Sequence, residues 1–163
     1  AAFLGIERMA LRTICQIEGE ALIGSLADLA GEDSTLLAAA VRRFSHTLLT
    51  QAAQTAACNR LHPLEQRAAR WLMMVYDRVD APRFRLTHEF FAYMLGAHRP
   101  SVSLAATTLQ IADLIRYSRG VIEILDADAL AEASCDSYAI VAADYEQVMG
   151  CRCAGRGEPI ATP

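Results

Sequence analysis

The sequence predicts a mainly α fold with a small β wing: a winged helix-turn-helix behind a long amphipathic helix. Three observations carry that expectation. Two helical patterns meet at Gly96 across a turn of about three or four residues, an alternating stretch folds back around Ser118-Arg119-Gly120, and apolar residues recur at a four-three-four step from Leu37 onward.

In chain order, the first strong element is the long helix over 33–60. Asp33 or Ser34 can cap its free N–H groups. Leu37, Val41, Phe44 and Leu48 form its stripe, and Gln51, Thr55 and Cys58 continue it in weaker chemistry. The stripe spans about 22 residues, or about 33 Å at 1.5 Å per residue, and little sequence precedes it to cover that length. An isolated amphipathic helix more commonly packs on its own domain. Here the length favours pairing with a second copy, through Leu37, Val41, Phe44, Leu48 and Thr55.

The next helix begins near His62-Pro63. Pro63 suits a first position, where its missing N–H has no intrahelical partner, and Glu65 complements the helix dipole. Leu64, Ala68, Trp71, Leu72 and Val75 give a core face, which makes Trp71 a packing residue. Val79 to Arg85, with Pro82, forms a turn and a short strand.

Thr87 caps a helix running to about Leu95, with Phe91, Met94 and Leu95 on its apolar side. Gly96 falls where the chain must leave that helix, and without a Cβ it enters the left-handed region at no steric cost. Arg99 and Pro100 open a second helix that reaches about Ala112. Its Val102, Ala105, Ala106 and Leu109 share a buried face, leaving Arg99, Ser103, Leu104 and Thr107 opposite. A helix pair of this kind lays its second member in a major groove. Leu114 to Leu125 then alternates into a two-stranded hairpin, the wing. Ala139 to Pro163 holds a short helical candidate and then a Gly-, Arg- and Pro-containing tail, expected to be loosely ordered.

With 163 residues, 53% of them apolar, the chain can bury a real core. Its net charge is −4, unevenly spread: between Asn59 and Gly120 nine arginines face five acids, about +4, and the remainder carries about −8. Phosphate attraction acts over a Debye length of about 10 Å, so an acidic whole with a basic segment is compatible with double-stranded DNA. There is no lysine, so every positive side chain is a planar guanidinium able to make paired hydrogen bonds, although coding bias explains this more simply.

No run approaches the 18 or so apolar residues that cross a bilayer, and no basic start with an apolar core marks export. A cytoplasmic location without membrane contact is therefore expected. The cysteines, Cys15, Cys58, Cys135, Cys151 and Cys153, are odd in number and point to reduced thiols. Cys151-Arg152-Cys153 is the close pair, and His46, His62, His88 and His98 do not cluster with it, so no metal site is expected. A phosphate-cradling glycine loop, a nucleophile elbow and an HExxH motif are all missing, which argues against an enzyme.

From about Thr35 to Tyr138 the order of long helix, linker helix, helix-turn-helix and wing resembles the Crp/Fnr superfamily of bacterial transcription regulators. The resemblance is carried by Cys58-Asn59-Arg60-Leu61-His62-Pro63-Leu64-Glu65-Gln66-Arg67, by Leu86-Thr87 through Leu95-Gly96, by Arg99-Pro100-Ser101-Val102-Ser103, and by Leu114-Ile115-Arg116-Tyr117-Ser118-Arg119-Gly120. It implies that Arg99 reads guanine, that Ser101 contacts phosphate, that His88 lies near a backbone contact, and that Ser118 and Arg119 sit on the wing beside phosphate. Pro100 stands where members often carry an acidic base-reader, and Leu104 where they often carry arginine, so the target sequence should differ; Leu104 could meet a thymine methyl.

The resemblance also implies an amino-terminal β-roll sensor domain, of which 1–32 holds a remnant, with Arg12 to Leu22 as its tail. Gly19-Glu20 starts a phosphate-binding cassette, but no arginine follows until Arg42, so neither a cyclic nucleotide nor another cofactor is expected, and the chain reads as part of a longer regulator.

The expected function is that of a homodimeric, sequence-specific DNA-binding transcription regulator. The helix over 33–60 pairs two copies, and the winged helix-turn-helix over 61–140 presents Thr87, His88, Arg99, Ser101, Ser103, Leu104, Thr107, Ser118 and Arg119 to DNA, ahead of a tail over 141–163. Recognition helices about 34–36 Å apart would match an inverted repeat. RNA polymerase is a further candidate partner. Two alternatives stay open: a dimeric protein-interaction module, and a redox-switched repressor using Cys58 at the pairing seam.

Overall fold

The computed structural model describes residues 14–17, 19–21, 34–79 and 81–150. Among them lie α1 (Ser34–Leu61), α2 (Leu64–Tyr76), β1 (Arg83–Arg85), α3 (His88–Leu95), α4 (Arg99–Ile111), β2 (Ile115–Ser118), β3 (Val121–Ile124), α5 (Ala127–Glu132) and α6 (Ser137–Met149). Most of the expected sensor remnant, the Cys151–Cys153 pair and the tail beyond 150 lie outside the described residues.

The strands form one antiparallel sheet in the order β1-β3-β2. Ser118 pairs with Val121, so Arg119 and Gly120 make a two-residue hairpin loop, both at positive φ (50° and 74°). That is the mirror-type turn whose twist matches the flanking strands. Arg85 pairs with Val121 on the other side, which brings β1 alongside the wing.

One core unites α2, α3, α4, the sheet and α5, with Leu72, Phe91, Val102, Leu109, Ile115, Ile122 and Leu130 inside it. Trp71 packs there, its ring 5.2 Å from that of Phe91. Pro63 is the residue just before α2 rather than its first member, and its φ of −63° still leads the chain into the helix.

What the sequence pattern missed is α6. The short candidate after Ala139 is a 13-residue helix packed against α1. His46 on α1 meets Asp144 on α6 at 3.0 Å, and the Tyr138 hydroxyl donates to the buried Asp77 carboxylate at 2.9 Å, tying α6 to the end of α2. The partial cover on α1 comes from α6, which follows it in the chain. On α1, Thr47 and Cys58 are buried, Leu37 and Val41 are half-buried, and Phe44 and Leu48 remain 51% and 53% exposed.

Cys58 corrects the sequence reading. It is fully buried against Cys135, Sγ to Sγ 3.1 Å, and so sits inside the chain rather than at an exposed seam between copies. Thr55 is also turned partly inward, since its hydroxyl donates to the Gln51 carbonyl and accepts from the buried Arg70 guanidinium. Phe44 and Leu48 are therefore the strongest remaining members of the stripe.

Candidate nucleic-acid interface

The helix-turn-helix is built from local signals that the chain obeys closely. Thr87 has extended backbone at the start of α3 and its hydroxyl accepts from the Phe90 N–H, satisfying one of the free donors of the first turn. Gly96 ends the helix at φ 59°, and the Ala97 N–H returns to the Ala92 carbonyl. The Arg67 guanidinium adds a bond to the Leu95 carbonyl, so α2 fixes where α3 stops. After residues 96–98, α4 starts at Arg99 with Pro100 in its first turn.

On α4, Val102, Ala105, Ala106 and Leu109 are all buried, as the three-and-four spacing requires. Arg99, Ser101, Leu104 and Thr107 are exposed, Leu104 at 65%. A leucine this bare on a well-packed helix has no intramolecular use in the described structure. The Thr107 hydroxyl donates to the Ser103 carbonyl, leaving its lone pairs outward.

His88 and Ser103 hold each other. The Ser103 hydroxyl lies 2.8 Å from His88 Nδ1, and the His88 ring stacks on Tyr117 with centroids 4.2 Å apart and planes within 9°. Burial, and then the nearby Arg99 guanidinium, lower the His88 pKa below its usual 6.5, so a neutral ring bridges α3, α4 and the wing. Tyr117 completes the bridge: its hydroxyl donates to the Leu86 carbonyl and its N–H to the Gln110 side chain, each at 2.9 Å. Burial raises its pKa, which keeps that hydroxyl a donor. Two of the positions expected to face DNA, His88 and Ser103, are thus engaged in setting the angle between the helices and the wing. The stacking partner, Tyr117, was not singled out from the sequence, because its 29-residue separation from His88 is bridged only by the sheet.

Ser118 and Arg119 are exposed at the wing tip. Arg116 is spoken for by Glu123 across the strands at 2.8 Å. Arg85 and Arg119 line one shallow pocket with Thr87 and Gly120. Arg85 was missed by sequence reasoning, although the exposed Arg-Phe-Arg alternation of β1 carries the signal.

Residues 66–133 match the family model described as the Crp-like helix-turn-helix domain. Residues 66–133 therefore carry a Crp-like helix-turn-helix domain. Among solved structures, a transcriptional regulator of the CRP family from Thermus thermophilus is 21% identical; the match covers 77% of this chain and 59% of that one, with a TM-score of 0.50, and shows a shared fold. A second, described as a transcriptional regulator of the crp/fnr family from Eubacterium rectale, is 27% identical over 62% of this chain and 44% of that one, with a TM-score of 0.48. This chain spans less than two thirds of the structures it matches. No curated protein matches it. Among the described residues no helix is long and apolar enough to cross a membrane.

Proposed function

We propose that the chain is a DNA-binding transcription regulator that acts as a homodimer, with α4 in the major groove and the wing against the adjacent backbone. The observation that carries this reading is the outer face of α4. A fixed core of Val102, Ala105, Ala106 and Leu109 holds it, while Arg99, Ser101, Leu104 and Thr107 stand unshielded. Arg99 supplies paired donors for guanine O6 and N7, Leu104 an apolar surface for a thymine methyl, and Ser101 a hydroxyl for phosphate. Arg119 and Arg85 flank the start of α3 with two more guanidiniums, suited to the phosphate backbone.

Dimerisation through α1 is supported by the exposed Phe44 and Leu48 beside half-buried Leu37 and Val41. Twofold symmetry would then impose an inverted repeat on the target.

Titration of labelled DNA across a range of salt concentrations tests the reading. A steep fall of log affinity with log salt is expected, because counterions leave the phosphates that arginine neutralises. A protein-interaction module would leave the DNA unbound at every salt concentration, and that result would refute the proposal.

A further inference from the structure

We propose that Cys58, His62 and Cys135 form a binding site for a thiophilic divalent cation, zinc by preference, which pins the end of α1 to the link between α5 and α6. Nothing in DNA recognition uses these residues. Cys58 lies in the last turn of α1 and His62 is the residue just after that helix, its N–H donating back to the Cys58 carbonyl at 3.1 Å. Cys135 reaches them from the link, 77 residues away. The two sulfurs and one ring nitrogen of His62 all lie within 4.8 Å of one another.

The state of His62 separates a metal site from a pair of cysteines that merely pack. Its Nδ1 is buried with no hydrogen-bond partner, an arrangement that native structures rarely leave unexplained. Its Nε2 faces the Asp136 carboxylate at 3.5 Å. A carboxylate there keeps the ring proton on Nε2 and frees the Nδ1 lone pair, which is how outer carboxylates orient metal-binding histidines.

The donor set suits zinc, which takes thiolate and imidazole at about 2.3 Å and about 2.0–2.1 Å. Tetrahedral ligands at those lengths lie roughly 3.5–3.8 Å apart. The sulfurs, at 3.1 Å, need to part by a few tenths of an ångström, and the imidazole closes inward. A disulfide would need the sulfurs at about 2.05 Å and would leave His62 Nδ1 as it is, without a partner.

Without a cation the buried Cys58 thiol stays protonated. Burial, then the Cys135 thiol, push Cys58 up to about 11 against the opposing fields of Arg70 and Arg67. Binding forms two metal–sulfur bonds and one metal–nitrogen bond, releases the two thiol protons to solvent, and moves no electron. A water completes the fourth position. Because proton release accompanies binding, affinity rises with pH.

The test is titration of the reduced 163-residue chain with cobalt(II), followed by zinc. The expected result is one ion per chain, with the intense visible bands of tetrahedral cobalt and a sulfur-to-metal charge-transfer band, both erased by zinc. Cys58→Ser and Cys135→Ser should abolish these bands. Asp136→Asn should weaken binding about 10- to 100-fold. Should the buried serine variants fail to fold, His62→Gln, at a partly exposed position, carries the test: it should retain the helical circular dichroism and lose tight binding. Cys15→Ala and the double variant Cys151→Ser, Cys153→Ser should bind as the parent does. A pale six-coordinate spectrum, binding that survives His62→Gln unchanged, or binding that disappears with Cys151 and Cys153 would each overturn the proposal.

Discussion

Replacing Arg99 with alanine isolates base reading from folding. Arg99 is exposed, and among the described residues no hydrogen bond or ion pair ties its guanidinium to the chain. Its loss should therefore shift stability by no more than about 0.5 kcal/mol. A bidentate arginine–guanine contact contributes about 1–3 kcal/mol. A symmetric dimer loses it twice, about 2–6 kcal/mol, which corresponds to about 30-fold weaker binding at the low end and about 10⁴-fold at the high end. The measurement is fluorescence anisotropy on fragments selected from random DNA by the parent chain, repeated on fragments with single base changes at constant salt. The variant should lose its preference at one base pair in each half-site and keep its preferences elsewhere. Arg119→Ala is the internal comparison, because a phosphate contact should weaken all sequences alike and reduce the salt slope by about 1 per copy. Unchanged affinity together with unchanged base preference in Arg99→Ala would refute the placement of α4.

Leu48→Glu should leave the monomer fold intact, since the side chain is 53% exposed, yet shift the sedimentation profile from dimer to monomer; an unaltered dimer would remove α1 as the seam. Phe91→Ala empties the centre of the core, where the ring is fully buried against Trp71, and should cost about 3–5 kcal/mol in urea unfolding; a loss under about 1 kcal/mol would contradict the packing. His88 should make stability sensitive to acid. Its folded pKa lies below the usual 6.5, so as pH falls past about 6.5 the unfolded chain takes up the proton first, and stability is lost until the pH drops below the folded value. Urea midpoints of His88→Gln should accordingly vary less over that window than those of the parent, and equal slopes would count against the buried ring.

Legibility in the sequence followed the range of the forces involved. The cap at Thr87, the left-handed exit at Gly96, the entry at Arg99-Pro100 and the turn at Arg119-Gly120 are each decided within about six residues, and each was readable. So was the division of α4 into two faces, because helical period alone sets it. The α6 cover on α1 was not, since it pairs residues about a hundred positions apart, such as His46 and Asp144. The same limit hid the cysteine–histidine cluster, because Cys135 lies 77 positions from Cys58 along the chain. His88 and Ser103 show a different gap. The resemblance placed His88 near a DNA-backbone contact and helical period placed Ser103 on the outer face of α4, but neither reading foresaw that the two side chains meet.

The packing of α6 determines where this protein can be cut. A fragment ending just after the wing would be the natural choice from motif boundaries, yet it would discard the Tyr138 hydroxyl that donates to Asp77 and unroof Cys58. Such a piece would present a greasy flank and aggregate in proportion to its concentration. Expression boundaries should instead extend through Met149, where Gly150 closes the helix at φ 73°.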